Sequence, residues 1–228
     1  MKGKYKSILV TVILVVGIAL KIFQSWSDYQ LPGRDGSIPS PEVGEVLKGL
    51  TPVTIGKPYD LLQECRLISG RNSDGDSFHI KHEKGENEFR LYFVDAPETE
   101  YREYGGGESN GKRIAEQGKD MGGLDRRETT RIGKEAKAFT LGLLKEGNFK
   151  VMTKWEDVVR PGREYCFVIV EWEGRECYLH ELLLSHGLGR VHTWGADLPG
   201  GRGWKRQRAY LEEWEKEVAA NKIGAWGL

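Results

Sequence analysis

Residues Ser73 to Thr99 read SDGDSFHIKHEKGENEFRLYFVDAPET. Polar and apolar residues alternate along Ser77 to His82, which sets Phe78 and Ile80 on one face of a strand. Lys84-Gly85 supplies a turn into a further strand from Glu88 to Val94. With Cys65 to Ser69 as an earlier strand, three short strands joined by tight turns make a meander of the sort that builds a small barrel. Acidic residues lie at the ends of this unit: Asp74 and Asp76 in the turn before it, Asp95 and Glu98 just after it, with Arg90 between. Carboxylates and an arginine so placed suit the joint binding of a metal ion and a phosphate.

An Asp-Gly turn alone is an ordinary hairpin feature, so the weight falls on the whole set. Pro97 fixes the corner after Asp95 and pushes Ala96 toward extended backbone, which frees the Ala96 carbonyl to face a site. Oxygens from Asp76, Asp95 and Ala96 form a hard environment suited to Ca²⁺ or Mg²⁺ rather than zinc. Arg90, together with Arg163 just before a later strand, matches phosphate oxygens two at a time and favours the more negative pentavalent state. Glu98 is then the carboxylate left to deprotonate or orient a water.

Outward from this unit, the N-terminal MKGKYKSILVTVILVVGIALKIFQSWS joins a lysine-rich head to an uncharged run from Ser7 to Leu20. Residues 1–27 are expected to be a signal peptide or an uncleaved signal anchor that leaves the body outside the membrane. Residues 28–60 hold Pro32, Pro39, Pro41 and Pro52 with little periodicity and read as a tether. Residues 61–228 are expected to form one folded domain acting as a monomer. Thr99 to Thr130 is polar and glycine-rich and reads as an insertion with one short helix. Its GGESNGK, Gly106 to Lys112, has the glycine and lysine spacing of a phosphate-binding loop, but Arg113 stands where Ser or Thr should hold magnesium, and no apolar strand precedes it. Helices are expected over Lys134 to Lys145, Leu179 to His186 and Gly203 to Asn221, and strands over Phe149 to Thr153 and Tyr165 to Val170, the latter preceded by a basic turn at Arg160 to Arg163.

Lys+Arg and Asp+Glu both total 34, but Lys2, Lys4, Lys6 and Lys21 all lie in the acid-free leader, so the remainder has 30 basic against 34 acidic residues. Bulk charge therefore does not draw nucleic acid to the body, and phosphate binding has to be local. Cys65, Cys166 and Cys177 are too sparse for a disulfide framework, leaving one bridge plus a thiol, or three reduced core cysteines. Cys177, His180, His186 and His192 do not space as a zinc site, since His180 and His186 fall on different faces of a helix.

The order DGDS, FRLYFVDAPET, IGKEAKAFT, GRE before a strand, then LHELLLSHGLGRV resembles the staphylococcal nuclease (thermonuclease-like) family over roughly Leu61 to Trp226. The resemblance implies an α+β fold, a five-stranded OB-fold barrel with three helices, and Ca²⁺-dependent cleavage of single-stranded DNA or RNA that leaves 3′-phosphate ends. By position it implies Asp76, Asp95 and the Ala96 carbonyl for the calcium, Arg90, Glu98 and Arg163 for catalysis, and a supporting role for Asp74. Trp194 falls where tyrosines commonly meet substrate and could stack a base. The alternative is a non-catalytic nucleic-acid or protein-binding module on the same barrel.

Overall fold

A computed structural model describes residues 38–68, 71–145 and 149–228. The chain is a mixed α+β protein, and among the described residues it has five α-helices: α1 Val43–Gly49, α2 Gly111–Asp120, α3 Arg126–Lys145, α4 Leu179–Ser185 and α5 Trp204–Ala220. The strands are β1 Asp60–Leu62, β2 Arg66–Leu67, β3 Ser77–His82, β4 Gly85–Leu91, β5 Val94–Asp95, β6 Phe149–Val158, β7 Arg160–Trp172, β8 Arg175–Tyr178 and β9 Arg190–Val191. The main sheet is ordered β1-β6-β7-β4-β3-β2, with β8 also on β7, and β5 pairs with β9 in a second, two-stranded sheet.

The expected closed five-stranded barrel is corrected by this order. β1 and β2 are the two edges of an open path, and no ladder joins them. They are nonetheless separated by only residues 63–65, which reverse through Glu64 at φ 52°, so the sheet has to curl to bring its edges so near. β1, of three residues, pairs only with β6, and β2, of two residues, pairs only with β3.

Strand periodicity sorts the meander as the sequence requires. Phe78 faces Phe89 across the β3/β4 ladder, and both are fully buried with Ile80 and Leu91. The neighbouring pair Ser77 and Arg90 falls on the other face. β4 then runs parallel to β7, which sets Glu88 beside Arg163 and Arg90 beside Tyr165 on that same face. β7 is longer than the expected strand: it begins at Arg160, and the chain reverses at Val159, φ 62°, rather than at Arg160 to Arg163.

The expected single strand from Glu88 to Val94 is broken. β4 ends at Leu91, and Phe93 takes φ 68° in a three-residue turn closed by Val94 N–H donating to the Tyr92 carbonyl at 2.9 Å. Such a conformation is costly for a side-chain-bearing residue and needs support from its surroundings. Segment 192–194 supplies it: Phe93 N–H donates to the Trp194 carbonyl at 2.8 Å, and the Phe93 carbonyl accepts from His192 and Thr193 at 2.8 and 3.1 Å.

The folded unit begins at Ile38 rather than at Leu61. Within the stretch expected to be tether, α1 buries Val46, and Leu50 and Tyr59 join the same core. Thr51 N–H donates to the buried Glu181 carboxylate at 2.8 Å, and Tyr59 hydroxyl to the Asp197 carbonyl at 2.6 Å. The expected leader, residues 1–27, lies outside the described residues, among which no helix is long and apolar enough to cross a membrane. Cys65, Cys166 and Cys177 are free, buried thiols.

α3 starts eight residues before the expected helix. Asp125 caps it: Asp125 Oδ1 accepts from Glu128 N–H at 2.8 Å and Glu128 Oε2 accepts from Asp125 N–H at 2.9 Å. The helix then presses small residues against the acidic stretch. A Cβ on Gly75 would lie 2.7 Å from the Ala96 Cβ and 2.8 Å from the Ala136 Cβ, so this glycine is needed for close approach rather than for a special turn angle. Gly133 likewise faces the Pro97 and Glu98 carbonyls with no room for a methyl group. Gly133→Ala should therefore lower stability by about 1–3 kcal/mol through overpacking, seen as a drop of several degrees in thermal midpoint, whereas an unchanged melt would mean that α3 does not pack this closely.

Candidate functional site

Asp95, at the end of β5, is 2% exposed, yet both of its carboxylate oxygens are engaged by cationic or amide donors. Oδ1 accepts from Arg90 Nη2 at 2.6 Å and from Arg113 Nη2 at 2.9 Å. Oδ2 accepts from Gln117 Nε2 at 3.0 Å and from Arg190 Nε at 3.1 Å. The turn at Phe93 makes the first contact possible, because it folds Asp95 back onto Arg90 five residues earlier. The β5/β9 ladder makes the last, because Arg190 is the register partner of Asp95. Arg190 also pairs with Asp120 at the end of α2.

Asp76 is tied into the same cluster. Its Oδ2 accepts from Ala96 N–H at 2.8 Å and lies 3.1 Å from Arg90 Nη2, and its Oδ1 accepts from Ser77 Oγ at 2.9 Å. Arg90 completes its fork with Nη1 donating to Ser77 Oγ at 3.2 Å. Asp74 holds the turn, Oδ1 accepting from Ser77 N–H at 3.0 Å. Burial and the neighbouring Asp76 push the Asp74 carboxyl up to about 7, Arg90 opposing them. Burial alone would raise Asp95 too, but Arg113, Arg90, Gln117 and Arg190 hold it below the ordinary carboxylate value.

Glu98 is held from the insertion. Gln117 Oε1 accepts its N–H at 3.0 Å, Arg113 Nε meets Oε1 at 3.1 Å, and Asn110 Nδ2 donates to Oε2 at 3.3 Å. The Ala96 carbonyl accepts from Gln117 Nε2 at 3.1 Å. The structure thus brings Asp74, Asp76, Arg90, Asp95, Ala96 and Glu98 together. It sets Arg163 on the same sheet face, two positions along from Arg90, where its nearest ion partner is Glu88 at 3.8 Å and its Nε is buried without a hydrogen-bond acceptor. The Trp194 ring is 69% exposed, and its backbone serves the turn at Phe93.

Three members were not assigned from sequence: Arg113, Gln117 and Arg190. Arg190 lies in the GLGRV run, and its signal is the strand pairing opposite Asp95. Arg113 and Gln117 stand four apart, hence on one face of α2, beside the buried Ile114 and Gly118. Recognising α2 as a helix would have paired them.

The oxygens expected to hold calcium do not fit it in this arrangement. Both Asp95 oxygens, both Asp76 oxygens and the Ala96 carbonyl already accept hydrogen bonds. A cation beside Asp95 would also face Arg90 and Arg190, each pair of unit charges about 4 Å apart opposing it by about 4 kcal/mol at an effective dielectric of about 20. Among the described residues no group of three or more His, Cys, Asp or Glu side chains could hold a metal. His180, one of the residues weighed for zinc, is enclosed by Phe93, Phe167 and Tyr178 with neither ring nitrogen paired, and burial holds its pKa down at about 3. A scan of protein-family models finds no match to this chain, and neither does a search of the curated proteins.

The raised Asp74 carboxyl means that the folded state holds its proton more tightly than the unfolded chain does. Stability from this group is complete below its ordinary value of 3.8 and is lost as pH rises to about 7. Asp74→Asn should remove that loss, so the variant should gain thermal stability relative to the parent at pH 8 compared with pH 4. A difference between the two proteins that is independent of pH would contradict the shift.

Proposed function

We propose that this chain is a phosphodiesterase that hydrolyses DNA and RNA, exported and held at the membrane by residues 1–27. The carrying observation is the meeting of Asp76, Arg90, Asp95 and Glu98 at one edge of the meander, with the parallel β4/β7 register setting Arg163 on the same face as Arg90. In this reading the curled sheet corresponds to the OB-type sheet of the thermonuclease-like family, left open between β1 and β2.

A phosphodiester laid against this face would meet two arginine forks. The Arg163 Nε has a buried N–H still seeking an acceptor, and a phosphate oxygen is a fitting one. Glu98 takes a proton from a water, whose oxygen forms the new bond to phosphorus. The P–O bond to the departing nucleoside breaks, and that oxygen takes a proton from solvent. Arg90 and Arg163 bear the charge that accumulates on the phosphoryl oxygens. Calcium would neutralise one of those oxygens in the related family, but the donors here do not fit it and no step is assigned to it. Asp76 and Asp95 act by fixing Arg90, an arrangement that preorganises its fork before substrate arrives.

One observation favours a second reading, a non-catalytic nucleic-acid-binding module. Both Glu98 oxygens are already engaged, by Arg113 and Asn110, so the base is not free until one of these lets go. Cleavage of labelled single-stranded DNA by the purified chain decides between the two. Glu98→Gln and Arg163→Ala should each slow product formation by about a hundredfold with the fold retained. Binding without product, unchanged by Glu98→Gln, would establish the second reading instead.

A further inference from the structure

The Asp95 carboxylate, one of the groups expected to hold a metal, is instead occupied from within the chain. Arg113 projects from the middle of the insertion and spans the two acids, Nη2 on Asp95 Oδ1 at 2.9 Å and Nε on Glu98 Oε1 at 3.1 Å. One turn further on, Gln117 takes Asp95 Oδ2 and the Ala96 carbonyl. These two side chains of α2 therefore occupy both Asp95 oxygens and the Ala96 carbonyl, two of the three expected ligands. Arg90 and Arg190, with side chains 8% and 6% exposed, hold the same carboxylate from the protein side. Arg113 differs from them in being open, at 46% exposed, and two of its N–H-bearing nitrogens serve the acids. A guanidinium has five N–H donors in a planar fork, so an arginine anchored in this way still has donors to present to solvent.

We propose that Arg113 is a built-in cation that contacts the substrate phosphate in place of a divalent ion, so that phosphodiester binding and hydrolysis at this site proceed without metal. This rests on the phosphodiesterase reading for the hydrolysis, but the binding part stands independently of it. Asp95, one of the acids expected to hold the metal, and Glu98, the expected base, orient the arginine between them. The insertion from Thr99 to Thr130, which the resemblance leaves without a role, thereby acquires one: it carries the cation on α2. It also explains why α2 is docked so closely, with the Gly118 position pressed against the Leu124 carbonyl and the Thr129 hydroxyl of α3.

The test uses the purified full chain, the Arg113→Ala and Arg113→Lys variants, and two readouts. Calorimetric titration with Ca²⁺ should give no binding heat for the parent chain. Fluorescence anisotropy with a labelled single-stranded oligonucleotide in EDTA should show binding by the parent, weakened about tenfold or more by Arg113→Ala and less by Arg113→Lys. Melting curves identify a variant that has lost its fold, and the parent titration remains decisive in that case. If the parent cleaves nucleic acid, the rate in EDTA should match that in calcium. Saturable Ca²⁺ binding by the parent, oligonucleotide binding that requires Ca²⁺, or a folded Arg113→Ala variant that binds as well as the parent would overturn the proposal. Binding in EDTA that depends on Arg113 but yields no product under any condition would remove the hydrolytic reading and leave Arg113 as the phosphate contact.

Discussion

The Asp95 carboxylate is shared by three guanidinium groups that reach it from positions 5, 18 and 95 residues away in the chain. A buried carboxylate is expensive unless it is paired and fully hydrogen-bonded, and removing one member of such a set leaves uncompensated charge inside. The surrounding structure is arranged to prevent that. Phe93 accepts a left-handed conformation so that Asp95 can return to Arg90, and segment 192–194 holds that turn through three backbone hydrogen bonds. β9 brings Arg190 opposite, and α2 brings Arg113 and Gln117 from the side. Three separate elements, β4, α2 and β9, thus close on one side chain.

Small residues decide how near these elements come. Gly75, Ala96, Gly133 and Ala136 lie where α3 crosses the acidic turn and the DAPE corner, and Thr140 donates to the Gly75 carbonyl at 2.8 Å. The helix therefore grips the backbone of the site, not its side chains. That distinction matters for the chemistry, since the Asp76 and Asp95 carboxylates and the Ala96 carbonyl are left to accept from the Ala96 N–H, Ser77, Gln117 and the arginines. It also gives the glycine of DGD a packing reason in place of the turn reason its sequence context suggests.

What was legible in the sequence was local. The alternation of Ser77 to His82, the corner at Pro97 and the clustering of acids at the strand ends follow from periods of two and from proline geometry, and the structure realises them. The break at Phe93 was not legible, because Glu88 to Val94 is an unbroken β-forming run and the turn is imposed by a segment a hundred residues away. α2 was expected only as one unplaced short helix: Gly111 and Gly118 have poor helix propensity, and only the packed face of Ile114, Gln117, Gly118 and Met121 shows where it lies and what it is for. Asp125 and Glu128 formed a readable capping box that extends α3, although the polar run around it reads as loop. Ion pairs have no period, so Arg113 and Arg190 became site residues only once the strands and helices were placed.

The body's charge balance now has a structural counterpart. A surface with a slight acidic excess gives no general attraction for a polyanion, so affinity must come from a few cations held in fixed directions. Arg90 and Arg190 are committed to Asp95 and almost wholly covered, so they frame the site, and of the two only Arg90 is assigned phosphoryl charge in the proposed reaction. Arg113 and Arg163 are the open members: one is anchored on two acids and half exposed, the other is loosely opposed by Glu88 at 3.8 Å with a buried N–H unsatisfied. Two fixed forks of this kind match the geometry of a single phosphate better than diffuse positive charge does, because each fork fixes a direction as well as a sign. On the proposed reading, local phosphate binding on a near-neutral body would come from where the guanidinium groups are held, and the acids that first drew attention to this stretch serve to hold them.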